Sequence, residues 1–177
     1  MSEQLQLKDD TSNPGPLGLM GFALTTILLN IHNAGFFPVD VMIMSMGIFF
    51  GGFTQFCAGA MEWRKGNMFG SVAFMSYGAF WLSLVFIWIG GSVLGLQKPN
   101  NLSMGCYLFM WGLFTLVFFI QTLNGKTVGK ILFFSLFVLF MLLAFHNFME
   151  SELIGRIAGF EGVFCGFVAF YEAAAIL

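Results

Sequence analysis

Long apolar segments, separated only by short polar stretches, constrain this chain more than any other feature. Of its 177 residues, 58% are hydrophobic and only 9% are charged, whereas in water-soluble domains about a quarter of the residues are charged. So few charges cannot cover the surface of a soluble fold. Disorder is excluded as well, because disordered chains lack apolar residues. The continuous apolar runs also exclude a transmembrane β-barrel, whose strands alternate apolar and polar residues.

Polar and helix-breaking residues divide the chain into six apolar segments. The length of each segment is close to the about 20 residues that a helix needs to span a bilayer. The segments cover residues 16–31, 39–62, 68–90, 103–122, 130–148 and 156–177. We therefore predict an all-α membrane protein with six transmembrane helices in a single domain, residues 13–177. Residues 1–12 are polar and of mixed charge, and we interpret them as a solvated N-terminal tail and not as a secretory signal.

The distribution of basic residues predicts the orientation in the membrane. Six spans place both termini on one side, and the basic residues of that side are Lys8, Arg64, Lys65, Lys126 and Lys130. The opposite loops carry Lys98 and Arg156. Because an excess of Lys and Arg marks cytoplasmic loops, we expect cytoplasmic N- and C-termini in a multi-pass protein of the plasma (inner) membrane.

Little in the sequence points to catalysis or to a cofactor. The two histidines, His32 and His146, lie near predicted helix ends, and the three cysteines lack the spacing of a metal site. Motifs of zinc proteases, serine hydrolases and phosphate-binding loops are absent from the sequence. We expect no enzyme activity, no metal, no cofactor and, without a basic cluster, no nucleic-acid partner. The alternative, an intramembrane enzyme or haem protein, would require a role for the two histidines.

Carboxylates inside or beside membrane spans are costly and indicate function. Glu62 ends the second segment beside two basic residues, so proton coupling and an interfacial ion pair are both open for it. Glu161 lies near Arg156, but not at helical spacing. Glu172 lies deep in the last segment. We take Glu62 and Glu172 as the candidates for proton coupling.

The spans also contain neutral side chains that form hydrogen bonds. Asn and Gln in a bilayer must face protein or water, and no Lys or Arg occurs in the interior of a predicted span. A path lined in this way suits a small, weakly hydrated solute or a weak acid better than a multiply charged anion. Hydrogen bonding between helices is the alternative role. The candidates for a substrate path in this set are Thr25, Thr26, Asn30, Gln55, Ser76 and Asn147.

Glycines recur at helical spacing in two segments. The second segment has Gly47 and Gly51, and the sixth has a stripe of four glycines between residues 155 and 166. In lipid, such small residues allow two helix backbones to approach closely. We therefore predict close helix contacts at both stripes, within or between protomers.

The most specific motif starts the first span: Asn-Pro-Gly-Pro-Leu-Gly-Leu at residues 13–19. Asn is a favoured N-cap and Pro a favoured first helical residue, which predicts a helix N-terminus with free amide donors that can receive an anion. Asn13 is therefore another path candidate. The motif resembles the signature of the acetate uptake transporter family, the succinate–acetate permeases, in which an Ala is usual where this chain has Gly15.

The resemblance covers the chain beyond residue 12. Further matching blocks begin at Leu19, Glu62 and Ser76, and others lie at residues 107–115, 134–136 and 165–166. The resemblance implies a six-helix protomer that assembles as a homo-hexamer in the lipid bilayer, with one substrate path in each protomer. It implies transport of acetate and related small carboxylates, for some members also succinate, by a proton-coupled or channel-like mechanism.

The resemblance further implies an apolar constriction near the middle of the path. Carried over by motif, its residues are Phe22, Tyr77 and Leu136, which the residues alone would assign to the core. Ala169, on the glycine-rich face of the last helix, is a further path candidate. The alternative function is a non-transporting membrane scaffold or sensor of the same family, which would have no need for such a constriction.

Overall fold

The structure is a computed structural model that describes residues 11–177; residues 1–10 of the predicted tail lie outside the described residues. In the described part, six helices are long and apolar enough to cross a membrane, which confirms the predicted all-α architecture. The helices are α1 Gly15–Asn33, α2 Val41–Ser45, a π-helix Met46–Thr54, α3 Gln55–Arg64, α4 Met68–Ser92, α5 Asn101–Thr122, α6 Thr127–Met149 and α7 Glu152–Ile176. The second span consists of α2, the π-helix and α3.

Side-chain caps extend two helices beyond the predicted spans. Ser151 accepts a hydrogen bond from a first-turn N–H at 3.5 Å, and α7 begins at Glu152, not at residue 156. Asn100 accepts a first-turn N–H at 2.8 Å, and α5 begins at Asn101, not at residue 103. The spans predicted from hydropathy were too short, because the capping residues at the helix starts are polar.

The second span departs from a regular α-helix. Asp40 caps its start by accepting hydrogen bonds from the N–H groups of Met42 and Ile43. From Met46 to Thr54 the backbone then forms a π-helix, an uncommon conformation that is frequent at functional sites. From the sequence we expect one uninterrupted helix here, because hydropathy does not distinguish the two backbone forms.

Both glycine stripes contact other helices of the same protomer. A Cβ atom on Gly159 of α7 would overlap the backbone of Ala34 at the end of α1. A Cβ atom on Gly51 of the π-helix would lie 2.9 Å from the Trp81 ring of α4. A side chain at either position would therefore push the helices apart. The predicted close contacts are confirmed, and those described here lie within the protomer.

The spans form a ring. α1 packs on α7 and on the second span, which packs on α4; α6 packs on α7 and on α5. Side chains close the ring between α4 and α5. The Tyr77 hydroxyl and Thr115 Oγ1 form a hydrogen bond of 2.9 Å, and Ser83 Oγ and the Tyr107 hydroxyl form one of 2.6 Å. The ring surrounds the candidate site.

Candidate functional site

Cavities open at both ends of the ring. The first cavity, of about 270 Å³, lies among the start of α1, the start of α4 and the end of α7. The second cavity, of about 540 Å³, lies at the opposite ends of α1, α4 and α6. A third cavity, of about 470 Å³, adjoins the second, and both are lined by His32, Asn33, Leu143 and His146. The first and second cavities are therefore candidates for the two mouths of one path.

The first cavity brings together residues that are distant in the sequence. It is lined by the three predicted constriction residues, both proton-coupling candidates and two path candidates, which are Phe22, Tyr77, Leu136, Glu62, Glu172, Asn13 and Gln55. None of the described residues that line this cavity is a lysine or an arginine. Its formally charged groups are thus the two carboxylates.

Phe22, Tyr77 and Leu136 lie at the deep end of the first cavity. Each is the lining residue farthest from the mouth on its helix, and their exposed fractions are 7%, 3% and 3%. The centroids of the Phe22 and Tyr77 rings are 6.1 Å apart. Since the Tyr77 hydroxyl is bonded to Thr115, the surface that these three residues offer to a solute is mainly carbon.

Glu62 is buried in the wall of the first cavity. Its Oε2 atom accepts a hydrogen bond of 2.8 Å from the side-chain amide of Asn67, which also caps α4. Among the described residues, the partner of this carboxylate is therefore a neutral amide and not Arg64 or Lys65. Its role in proton coupling stays a prediction.

Two other polar side chains line the first cavity at different depths. Gln55 is only 1% exposed, and its Oε1 atom has no hydrogen-bond partner in the described structure. Glu172 is half-buried near the end of α7, where the charge of Lys126 acts on it. Gln55 can therefore accept a hydrogen bond from a solute that has passed Glu172.

The start of α1 differs from its prediction. Asn13 accepts a hydrogen bond of 2.9 Å from the Gly15 N–H, but Pro14 occupies the N-cap position. The N–H groups of Leu17 and Gly18 both donate to the Pro14 carbonyl, and the intervening proline has no N–H. The prediction of free amide donors is therefore wrong, because an Asn-centred turn and a tight first helical turn use these donors internally.

A closed layer of protein separates the first and second cavities. On α1, Phe22 lines the first cavity and Leu29 the second; on α6, Leu136 lines the first and Leu143 the second. Seven residues of α-helix span about 10 Å. This distance is the thickness of the barrier along both helices; along α4 it is only about 4.5 Å, since Tyr77 lines the first cavity and Phe80 the second.

Aromatic rings fill the barrier next to the constriction residues. The Phe80 ring centroid lies 5.2 Å from those of Trp111 and Phe140, with edge-to-face geometry in both pairs. Trp111 also contacts Tyr77, at 6.2 Å between centroids. This aromatic layer was not predicted from the sequence. The only signal was the position of Phe140 four residues after Leu136, on the same helical face.

The second cavity contains one predicted path residue, Asn147, whose side chain donates to the Leu143 carbonyl at 2.9 Å. Lys98 is the one residue with a fixed charge among the described lining residues. Its aliphatic stem lies where Gly91 of α4 has no side chain. His32 and His146 line the same cavity. The sequence placed both histidines at helix ends but could not indicate that the ends meet.

The other path candidates lie outside these cavities: Thr25, Thr26, Asn30, Ser76 and Ala169. Thr25 donates to the Met46 carbonyl at 3.4 Å, where α1 meets the π-helix. Asn30 donates to the Thr26 carbonyl at 2.9 Å and occupies the space left by Gly162 of α7. In this structure Thr25 and Asn30 thus contact neighbouring helices, whereas the buried Thr26 Oγ1 has no hydrogen-bond partner among the described residues.

Glu161 is an intramembrane carboxylate that was not selected as a candidate. Its Oε1 atom accepts a hydrogen bond from the Ser135 hydroxyl of α6, and its Oε2 atom is buried without a partner in the described structure. Cys165, one turn farther along α7, points its thiol at the Leu132 carbonyl at 3.9 Å. Glu161 lines none of the three cavities. It is a buried polar group beside the candidate path.

Comparisons with known proteins identify close relatives. The succinate-acetate/proton symporter SatP of Escherichia coli is 51% identical over 162 residues, which cover 92% of this chain and 86% of that protein. The ammonia transport outward protein 2 of Saccharomyces cerevisiae is 37% identical over 171 residues, which cover 93% of this chain and 61% of that protein.

A solved structure and a family model match as well. The structure of the bacterial acetate channel SatP superimposes with a TM-score of 0.91 at 50% identity, covering 93% of this chain and 91% of that chain. The model of the GPR1/FUN34/yaaH family matches residues 3–177. The chain is therefore an integral membrane protein that belongs to the GPR1/FUN34/yaaH family.

Proposed function

We propose that this protein moves acetate and related small carboxylates, including succinate, across a membrane along a path inside each protomer. The observation that carries the proposal is the pair of cavities at opposite ends of one helix ring, separated by a thin, mainly apolar layer of about 10 Å along α1 and α6 and about 4.5 Å along α4. The likeness to the SatP symporter and to the SatP channel structure supports acetate as a substrate. A non-transporting scaffold or sensor is not favoured, since it has no need for two opposed cavities.

The constriction of the proposed path consists of Phe22, Tyr77 and Leu136. A carboxylate that passes it leaves water and meets no lysine or arginine among the described residues that line the first cavity. Removing an ion from water without pairing it is very costly, whereas a neutral acid is moved at much lower cost. The constriction therefore favours a small solute that can shed its charge or its water easily.

Two transport modes agree with this geometry. In a proton-coupled mode, Glu62 and Glu172 exchange the proton at the first cavity, where both carboxylates face the path. In a channel-like mode, flux saturates and responds to a pH gradient only through the ionisation of the substrate. The relatives carry both descriptions, one as a proton symporter and one as a channel.

Assembly and orientation complete the proposal. Large apolar side chains such as Phe49, Phe164 and Phe167 are exposed on the protomer surface, where they suit lipid or further copies of the chain. We infer that the protein is a homo-hexamer in the plasma (inner) membrane. Both termini lie in the cytoplasm, because the positive-inside rule assigns the side with more Lys and Arg to the cytoplasm. Native mass spectrometry and protease access to each terminus test these two statements.

The transport proposal is tested with purified protein in lipid vesicles. Labelled acetate, lactate and succinate are supplied outside, with and without an imposed pH gradient, and initial uptake is compared with protein-free vesicles. We expect protein-dependent, saturable acetate uptake. Uptake no faster than in protein-free vesicles, by protein that is folded and inserted, would contradict the proposal. Accumulation of succinate driven by the pH gradient, with the membrane potential clamped, would select the proton-coupled mode; acetate cannot make this distinction, because neutral acetic acid equilibrates with a pH gradient even in protein-free vesicles.

A further inference from the structure

The two histidines of this chain occupy equivalent positions on two helices. His32 and His146 each lie in the last turn of a span, α1 and α6, and each is followed by an asparagine. Nδ1 of His32 lies 2.7 Å from the Phe37 carbonyl oxygen. Nδ1 of His146 lies 2.8 Å from the Ser151 carbonyl oxygen. In both cases the partner is the carbonyl five residues farther along the chain.

These contacts determine which ring nitrogen carries the proton. A carbonyl oxygen can only accept a hydrogen bond, so Nδ1 of each histidine must be the donor. In a neutral imidazole, Nε2 then has a lone pair and no hydrogen. The fold therefore fixes the same tautomer at both histidines and leaves Nε2 as the nitrogen available to a ligand.

Both histidines line the same two cavities. His32 and His146 line the second cavity and also the third, so they lie where the two cavities meet. The ring of His146 fits against α7 because Gly155 has no side chain; a Cβ atom there would lie 2.9 Å from Nδ1. The ring is thus held by a carbonyl on one side and by a helix backbone on another.

The charged groups around the two rings come from other elements. Lys98, from the loop before α5, lines the second cavity, and Glu152 and Arg156 of α7 line the third. Asp40, after the loop that contains Phe37, directs its carboxylate to N–H groups of α2 instead. Lys98 and Arg156 can draw an anion towards the histidines, and Glu152 faces only the third cavity.

We propose that His32 and His146 form a site that binds a carboxylate together with one proton, at the mouth of the path opposite to Glu62 and Glu172. The inference deepens the proposed function and rests on it. A carboxylate has only lone pairs to offer, and so has Nε2 of either ring. The two can form a hydrogen bond only when one proton lies between them, on the nitrogen or on the oxygen.

The binding step is balanced by that single proton. Either the imidazole takes a proton from water at Nε2 and donates it to the carboxylate, or the neutral acid donates its O–H to the Nε2 lone pair. When the substrate moves on towards the constriction as the neutral acid, the proton leaves with it and the ring returns to its neutral tautomer. The site thus links one proton to one carboxyl group before the apolar barrier, where a bare anion is most costly.

The direct test is an NMR experiment on the histidine rings. The chain has only two histidines, so protein with ¹⁵N-labelled histidine in nanodiscs, with any affinity tag removed, gives two ring systems that single substitutions assign. We expect Nδ1–H in both. At constant pH, added acetate should move at least one Nε2 signal towards the imidazolium value or show a hydrogen bond at Nε2. Methyl acetate, an uncharged analogue with neither an O–H nor an N–H donor, is the control and should leave the Nε2 signals unchanged.

Two substitutions separate this role from a structural one. In His146→Asn the side-chain amide can still donate to the Ser151 carbonyl, but Nε2 is removed; in His146→Gln an amide replaces Nε2 and the Ser151 bond is lost. We expect the Asn variant to melt like the wild-type protein and to bind acetate about tenfold more weakly, since a hydrogen bond to a charged group is lost. His32→Asn provides the same comparison on α1, because its side-chain amide can still donate to the Phe37 carbonyl.

Failure of the inference and failure of transport give different results. Unchanged Nε2 signals at saturating acetate, or a wild-type ratio of protons to acetate transported in both Asn variants, would overturn the histidine site while leaving acetate transport intact. Absence of uptake by the wild-type protein would contradict the proposed function, which the uptake assay reads without reference to the histidines.

Discussion

The two mouths of the proposed path differ in charge, although the barrier between them is mainly apolar. The first cavity has two carboxylates, Glu62 and Glu172, and no lysine or arginine among the described residues that line it. The second has Lys98 and two histidines and, among the described residues that line it, no carboxylate. The charged residues that line the mouths are therefore anionic at one end and cationic at the other, although the Lys126 charge offsets part of that of Glu172.

Charge and selectivity are thus located in separate parts of this molecule. Two unit charges about 4 Å apart interact by about 1 kcal/mol in water and by several times more near protein. Such energies change how often an anion occupies each mouth. They act little on the constriction, where shape and loss of water decide which solute passes. Mutations at the mouths should therefore change concentration dependence, and mutations in the barrier should change substrate choice.

The largest expected effect comes from breaking the frame that holds both cavities. Gly159→Ala places a methyl group on the Ala34 backbone, so α1 and α7 must separate. Overpacking of this kind costs about 3 kcal/mol, and we expect a large loss of folded protein and of both cavities together. Thermal melting in detergent measures it. Gly90→Ala is the matched control, because its new Cβ would lie no closer than 3.5 Å to any neighbour; equal melting of the two variants would contradict the packing account.

An intermediate effect is expected at the acidic mouth. Glu62→Gln removes one charge, while the new amide oxygen can still accept the hydrogen bond from Asn67. We expect the acetate concentration for half-maximal flux from this side to fall about fivefold, which corresponds to about 1 kcal/mol. Sided uptake in vesicles of known protein orientation measures it. Glu150→Gln, an exposed acid that lines neither the first nor the second cavity, should change nothing; an equal shift in both variants would refute a local effect.

The smallest effect is expected at the basic mouth. Lys98 is exposed, so water and salt screen its charge. Lys98→Gln should raise the acetate concentration for half-maximal flux from the second side by about twofold at low salt, and the shift should disappear at high salt. Lys130→Gln, which lines none of the three cavities, is the control. A salt-independent shift would indicate that Lys98 positions the loop and not the anion.

The barrier and the mouths also differ in how well the sequence predicts them. Hydropathy predicted all six spans, because a bilayer demands long apolar segments whatever the tertiary contacts are. Phe22, Tyr77 and Leu136 came from a family motif; periodicity alone assigns them to the core, and they are indeed buried. What places them at a cavity is the ring of helices, which no local pattern specifies.

Features that depend on contacts between distant segments were not predictable. The π-helix at Met46–Thr54 accompanies close packing of its glycines on α4, and hydropathy has no signal for it. The histidine pair joins the end of α1 to the end of α6, so its two members are unrelated in the sequence. Asn30 and Thr25 show the reverse case: their polarity indicated a path, but close packing by α7 and by the π-helix placed them in helix contacts.

The central claim is that solutes pass between Phe22, Tyr77 and Leu136, and the most direct test is the ratio of lactate to acetate uptake in Leu136→Ala. Leu139→Ala is the matched control, because Leu139 is equally buried on α6 but lines none of the cavities. Each variant loses about 2–5 kcal/mol of stability. The resulting loss of folded protein lowers the uptake of both substrates equally, so it does not change their ratio. We predict that the ratio rises in Leu136→Ala and stays at the wild-type value in Leu139→Ala. An equal change of both uptakes in Leu136→Ala would contradict the claim and assign Leu136 to packing alone.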